Sequence, residues 1–486
     1  MVLVSACFGT AAPATEIPPY PQPGFRRALV EAVLPPAARS GEPEAATSYG
    51  TRGAAYIALG LLWRDAPGDR LVAEKTLRWV LSMQYDDPPG SPRFGVWRTR
   101  PNETDHDPNW REFVGCGLCL IQELFADRLT EDLNSAIIVA LDRAAEGAAA
   151  RRVGPGYTNI ALMNAFLLDW VARRHGRQDL SHTAGERATA VYRLFRQHGS
   201  FDEYNSPTYY GPDLMALSLW RQYASTAEMR EMGAEMEAAL WRDIAAFYHA
   251  GMKNLCGPYV RAYGVDMNRY CALLGLWIAL TVDDPRLAPW PSPPSASHRG
   301  ERIYGPIFAL LGSCVPDDAL PHLRSFQGPR NLERRFDNTE VRAVLAEDWM
   351  MGAGALRRSW DQHHPAVIHW IQTETGWVRW LSLSGLSIGV TPEIVGDSLI
   401  LKRAEGSDTM EFYINNFGLH DDAITADRWT LPGRTFAVET APGVELKTRQ
   451  AMVHPRYGQC TRIEFSLPET SQVGDVMLRL RPTAKP

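Results

Sequence analysis

Partway along this chain the spacing of apolar residues changes rhythm. From about residue 44 to 325, segments such as SYGTRGAAYIALGLLWRD, REFVGCGLCLIQELFAD and NIALMNAFLLDWVARRHG carry apolar residues at the i, i+3, i+4, i+7 spacing of amphipathic helices. From about residue 365, short runs such as AVIHWIQTET, MEFYINNFG and RIEFSL are rich in β-branched and aromatic residues. Turn residues punctuate them at roughly ten-residue intervals, the signal of an antiparallel sandwich. The expected fold class is therefore all-α followed by all-β. The helical part shows no fixed sequence period, which favours a closed α/α toroid of helical hairpins over an open solenoid. The expected boundaries are a toroid over 1–325, a linker over 326–359 and a β-sandwich over 360–486. A Pro-rich stretch, PRLAPWPSPP, interrupts the helical series at 285–294.

Composition narrows the function classes. With 45% hydrophobic and 22% charged residues over 486 positions, the chain has the material for a large core. A net charge of -6 disfavours a nucleic-acid partner, which calls for a basic surface. No run of 18 uncharged apolar residues is present, so no membrane span is expected. The N-terminal MVLVSACFGTAAPATEIPP lacks the basic start of a secretory signal, which favours a cytoplasmic location over a secreted one. Seven cysteines, thinly spread, do not form a disulfide framework, and Cys116 and Cys119 lie in an apolar helical run as core residues.

Candidate functional residues sit where polar and aromatic side chains break the apolar period. The first such loop holds Asn109 and Trp110, a possible cap and a possible sugar platform. The second, GPGYTN, ends in Tyr157 and Asn159. The third, HGSFDEYNSPTYYG, crowds Glu203, Tyr204, Asn205, Tyr209 and Tyr210 between two helices. The fourth, GPYVRAYGVDMNRY, holds Tyr259, Arg261, Tyr263, Asp266 and Arg269. Arg261 and Arg269 suit an anion, with a surface ion pair to Asp266 as the bland alternative.

At these residues the chain resembles uronate-polysaccharide lyases. GSFDEYNSPTYYG is similar to the segment of hyaluronate and chondroitin lyases in which a Gly-Ser-aromatic turn precedes a catalytic residue followed by Tyr-Gly. Ser206-Pro207-Thr208-Tyr209-Tyr210 is similar to the Ser-Pro-x-Tyr-His run of the heparinase II/III and oligoalginate lyase group. The resemblance implies a toroid joined to β-sandwich modules and β-elimination next to a uronic acid. Asn159 and Arg261 would neutralise the substrate carboxylate, and Tyr209 or Tyr210 would act as base and acid with Tyr204 in support. Trp110, Asn109, Tyr157, Glu203, Asn205, Tyr259, Tyr263, Asp266 and Arg269 would line the substrate. The substrate would be a uronic-acid-containing polysaccharide or oligosaccharide, and no cofactor or metal is called for. The chain departs from the pattern in lacking the expected His in this loop: Tyr204 and Tyr210 stand at those places, leaving His198, His249 or His106 as other bases.

Two other classes compete. A glycoside hydrolase would draw a carboxylate pair from Asp107, Asp202, Glu203, Asp213 and Asp266. A carbohydrate-binding protein would use Trp370, Trp377 and Trp380, though these alternate with apolar residues as core residues do. A terpene cyclase would need a DDxxD-type cluster, which is absent from the sequence.

Overall fold

The computed structural model describes residues 16–36, 44–291, 296–336, 339–355, 360–420 and 422–483. Its helical part closes into a ring. The helices Gly50–Arg64, Trp110–Phe125, Thr158–His175 and Tyr210–Tyr223 pack each on the next. Leu273–Val282 and Gly305–Leu311 continue from the last, and Gly305–Leu311 returns to Gly50–Arg64. Outside this ring lie Asp69–Ser82, Glu131–Ala150, Gln178–His198 and Ala227–Phe247, each packed on an inner helix. This is the α/α toroid that the helical period predicted.

Inner and outer helices differ in the way their sequences demand. Thr158–His175 is buried continuously from Thr158 to Ala172, and Leu273–Val282 is apolar on every face, as a helix with no solvent side must be. Gln178–His198 instead buries only Leu180, Ala184, Ala188, Val191 and Phe195, a single stripe at three- and four-residue spacing. Cys116 and Cys119 are free and buried on an inner helix. One small ladder, Tyr248–His249 with Asn254–Leu255, makes a hairpin after Ala227–Phe247.

Two antiparallel sheets follow. The larger has eight strands in the order Glu445–His454, Gly458–Ser466, Thr409–Ile414, Trp377–Leu383, Ala366–Gln372, Trp349–Gly354, Thr339–Leu345, Arg330–Phe336. The smaller has five, in the order Arg428–Leu431, Arg434–Thr440, Val476–Pro482, Ser398–Arg403, Val390–Val395. Met351, Ile368, Leu381, Phe412 and Ile463 of the larger sheet share one core with Leu401, Phe436 and Leu478 of the smaller. The expected linker over 326–359 is corrected here, because three strands of the larger sheet begin within it at Arg330, Thr339 and Trp349. Its first strand, RNLERRF, is an edge strand rich in charge, so it lacks the apolar alternation that announces a strand.

The larger sheet is covered on both faces. Its outer face meets the five-stranded sheet, while Val341, Ala343, Leu345, Met350, Val367 and Trp380 join the core of the ring. Ala366–Trp370 is accordingly buried at every position. The approach is close: a Cβ at Gly352 would lie 1.6 Å from the carbonyl oxygen of Gly257. The backbones of Tyr259 and His364 exchange two hydrogen bonds of 3.0 Å, and the Ala262 N–H donates to the Gln362 carbonyl at 2.9 Å. Arg330 donates to the Tyr248 carbonyl at 2.7 Å, and Arg334 pairs with Asp243 at 2.9 Å.

Candidate active site

Two loops at the joint of ring and sheet build the site. Gly199 ends Gln178–His198 in the left-handed conformation (φ 66°), which glycine adopts without steric penalty, and releases the chain into the loop 200–209. That loop is zipped to residues 256–263. Asn205 Nδ2 donates to the carbonyls of Cys256 (2.6 Å) and Pro258 (2.8 Å). The Val260 N–H donates to the Tyr204 carbonyl at 3.0 Å, Ser206 Oγ donates to the Arg261 carbonyl at 2.8 Å, and the Tyr263 N–H donates to Thr208 Oγ1 at 3.2 Å. Asn205 (φ 49°) and Arg261 (φ 58°) both sit in the left-handed region, which for a side chain like arginine is unfavourable by roughly 1–3 kcal/mol unless its surroundings hold it. The zipper holds both.

Arg261 is the hub. Its Nη1 pairs with Glu203 Oε1, and its Nη2 donates to the Tyr209 hydroxyl at 2.6 Å. Its guanidinium stands 3.9 Å from the Tyr209 ring centroid and 5.2 Å from that of Trp360. The other Glu203 oxygen accepts from Asn159 twice, from Nδ2 at 2.6 Å and from the backbone N–H at 3.1 Å. Asn159 is the second residue of Thr158–His175, so Glu203 also meets the positive end of that helix. The Tyr209 hydroxyl shares a 2.5 Å hydrogen bond with Tyr263, whose ring stacks on His298.

Protonation follows from this packing. Burial works against the charge of Arg261, yet Glu203, Tyr209 and Tyr157 outweigh it, and the guanidinium is held more firmly charged than usual. Burial raises Tyr209 well above the ordinary phenol range, Tyr263 adds to this and Arg261 opposes it, so the resting side chain is a neutral phenol. Asp213, one helical turn after Tyr209, is fully buried with no hydrogen-bond partner on either oxygen. Burial and the nearby Glu203 raise it far above the usual carboxyl range, with Arg261 opposing.

The cleft in front of Arg261 encloses about 440 Å³. The ring contributes Tyr157, Asp202, Glu203 and Arg261 to it, and the sheet contributes Phe336, Val341, Trp360 and His363. Glu203 and Arg261 line this cleft, while Asn159, Tyr209 and Tyr263 are joined to them by the hydrogen bonds above without lining it. Asn109 stands behind the cleft, donating to the Tyr157 hydroxyl at 2.9 Å and accepting from Arg151 at 2.8 Å.

Other expected site residues lie elsewhere. Tyr210 is buried in the ring, its hydroxyl accepting from the Asn205 N–H at 2.6 Å. Tyr209 caps a helix that Tyr210 opens, so the two diverge by helical rotation instead of alternating along an extended segment. Tyr204 borders the cleft, but its ring packs on Phe247 and Phe336 and its hydroxyl has no hydrogen-bond partner. Trp110 lies under Arg52, 5.0 Å from its guanidinium, and does not line the cleft. Tyr259 is core, its hydroxyl bonded to the Leu255 carbonyl. Asp266 organises its own loop by accepting from Asn254 and Asn268, and Arg269 lies over Trp377 at 4.9 Å. Of the three histidines named as other bases, His198 lines the cleft, His249 is buried at the joint against the Ala346 carbonyl, and His106, before the helix Trp110–Phe125, does not line the cleft. The sheet wall was not anticipated, although WDQHHP, an aromatic and two histidines in a loop ended by proline, was a visible signal. Among the described residues, no three His, Cys, Asp or Glu side chains gather as a metal site needs.

Comparison places the ring in a family. The family model described as "Domain of unknown function (DUF8769)" matches residues 38–313, more than half of the chain and nearly all of the ring, and the chain belongs to that family. No curated protein matches it. Among solved structures, the Streptomyces coelicolor A3 chondroitin AC lyase in complex with chondroitin sulphate is similar at 10% identity and TM-score 0.43, over 95% of this chain and 82% of that one. The endoglucanase CelQ from Clostridium thermocellum, complexed with cellobiose and cellotriose, is similar at 10% identity and TM-score 0.32, over 89% and 83%. Scores this low carry no weight for chemistry, which has to come from the site.

Proposed function

We propose that this protein is a carbohydrate lyase that cleaves beside a uronic acid by β-elimination. The observation that carries the reading is the convergence of Asn159 and Arg261 on one carboxylate while Arg261 also touches the Tyr209 hydroxyl. β-Elimination from a uronate needs both things at once. A carboxylate must be neutralised so that the enolate forming beside it is stabilised, and a proton donor must stand at the departing O4 oxygen. Arg261 and Asn159 supply the first. Tyr209, resting as a neutral phenol, supplies the second. The same burial that suits Tyr209 to the acid role opposes its use as a base. The α-proton then passes to an imidazole of the cleft wall, His198 or His363.

A hydrolase reading is favoured only by Asp202 and Glu203 lining the same cleft. Glu203 is already tied to Arg261 and Asn159, which disfavours it as acid or base, and Asp213 is sealed from the cleft. The test is a panel of uronate polysaccharides and oligosaccharides followed by near-ultraviolet absorbance. A lyase product carries a C4–C5 double bond conjugated to its carboxylate and absorbs there. New reducing ends without that absorbance would move the case to the hydrolase.

A further inference from the structure

We propose that Glu203 occupies, in the free protein, the seat of the ligand's own carboxylate, and that an acidic sugar binds there with uptake of one proton by the Glu203–Asp213 pair. This rests on the uronate reading above and deepens it. The donors that a uronate carboxylate would use are the Arg261 guanidinium and the side chain and N–H of Asn159; Glu203 takes Arg261 Nη1 and both Asn159 donors, while Nη2 faces the Tyr209 hydroxyl and Nε is buried without a partner. A ligand carboxylate can engage them only if Glu203 gives way.

What then happens to Glu203 is a matter of charge. Its side chain is 4% exposed, lies between Asp202 and Tyr204 in sequence, and shares the cleft lining with Tyr157, Val260 and Phe336. A carboxylate left there without a partner is strongly disfavoured, and the way out is to take a proton. Asp213 stands behind it on the helix Tyr210–Tyr223, with both oxygens unpartnered and its carboxyl already neutral. Asp213 therefore has no negative charge to give up when a second anion arrives. At rest the clamp itself pairs one cation, Arg261, with one anion, Glu203, and Asp202 is a further carboxylate on the cleft. A bound uronate makes two anions against one cation, and one proton from solvent restores the balance. The other groups facing Glu203 are Asn159 and Tyr157 at the start of Thr158–His175, Tyr209 beside Asp213, and Asp202, His198 and His363 around the cleft.

Glu203 also serves as a cap for the helix it touches, so loss of activity or stability in a Glu203 variant would not decide the matter. Proton linkage does. D-Glucuronate, D-galacturonate and D-glucose are titrated into the full chain between about pH 6 and pH 8, where a sugar carboxylate stays ionised. Affinity is read by ligand-observed NMR, and protons taken up by calorimetry in two buffers of different ionisation enthalpy. The expected result is that a uronate binds and glucose does not, with one proton taken up and affinity falling by about tenfold per pH unit. In Glu203→Gln, which keeps the side-chain shape and an acceptor for Asn159, the pH slope disappears and affinity near pH 8 rises by at least about tenfold. A uronate that binds wild type without proton uptake overturns the proposal and leaves the lyase reading standing. So does a slope that persists in Glu203→Gln, which would belong to His198 or His363. Failure of both uronates to bind overturns the proposal, and the absorbance panel reports on the lyase reading separately.

Discussion

The two walls of the cleft are built by opposite means. The ring wall is polar and over-determined: Arg261 and Glu203 line it from two loops zipped by five hydrogen bonds, and Tyr209 and the helix residue Asn159 hold them from behind through further hydrogen bonds. The sheet wall presents Phe336, Val341, Trp360 and His363 from strands and a loop whose positions are fixed by packing against the ring. Preorganised polar groups are what a changing charge distribution needs, whereas apolar surface acts on ground state and transition state alike. On the reading proposed above, the ring holds the groups for the carboxylate and the leaving oxygen, and the sheet, His363 apart, offers contact surface.

The strongest challenge to that division is Tyr209→Phe. The change removes only a hydroxyl, leaving the ring under Arg261, so fold and substrate binding should survive. Turnover on the substrate found in the absorbance panel should fall by on the order of 10²–10⁴-fold with little change in KM. Tyr210→Phe should leave turnover within a few-fold, because its hydroxyl is buried in the ring against the Asn205 N–H. Equal loss in both variants, or in neither, would end the assignment to Tyr209.

Gly352→Val tests how the walls are held together. The added Cβ would meet the Gly257 carbonyl at 1.6 Å, backbone against backbone, with no flexible side chain to yield. A destabilisation of roughly 3 kcal/mol is expected, read by denaturant unfolding. Gly300→Ala, where nothing lies within 4 Å, is the control and should unfold like wild type. An unchanged midpoint in Gly352→Val would mean that the sheet does not seat on the ring as described.

This contrast also explains what was legible in the sequence. The ring was readable because helical period, helix ends and interrupting loops are local signals. The same signals brought out Asn159, Glu203, Tyr209 and Arg261 from segments up to about a hundred residues apart. What pairs with what was not local. Nothing in the spacing said that Glu203 would fill the Asn159–Arg261 clamp, or that Tyr210 would turn inward. The sheet wall was hidden for a second reason. RNLERRF is strand-forming only because Thr339–Leu345 pairs with it, and Phe336 reaches the cleft only because the sheet docks on the ring. Trp370 and Trp380 proved to be core, while Trp377 is exposed beneath Arg269 and Arg379.

Trp360→Ala separates affinity from chemistry on the sheet wall. The indole is 37% exposed and stacks against the Arg261 guanidinium, so it adds binding surface at the edge of the clamp. KM should rise about three- to tenfold while kcat stays within about threefold, in line with cation–π and stacking contributions near 1 kcal/mol. A kcat loss comparable to that of Tyr209→Phe would place chemistry on the sheet side and erase the distinction between the walls.

The smallest effect, and the one with an unusual sign, belongs to Tyr204→Phe. Tyr204 sits in the same loop as Glu203 and was expected to orient Tyr209, yet its hydroxyl is buried without a partner while its ring is held edge-on by Phe247 and Phe336. Burial raises its phenol far above the ordinary range, with Asp243 adding to this, so it rests neutral. Removing a buried, unsatisfied hydroxyl relieves its desolvation without costing a hydrogen bond. The variant should keep kcat within about twofold and be as stable as wild type or more so, by up to about 1 kcal/mol in denaturant unfolding. A large drop in kcat with unchanged stability would restore Tyr204 to the site as a group that touches the substrate, and would move the boundary between chemistry and packing into the loop itself.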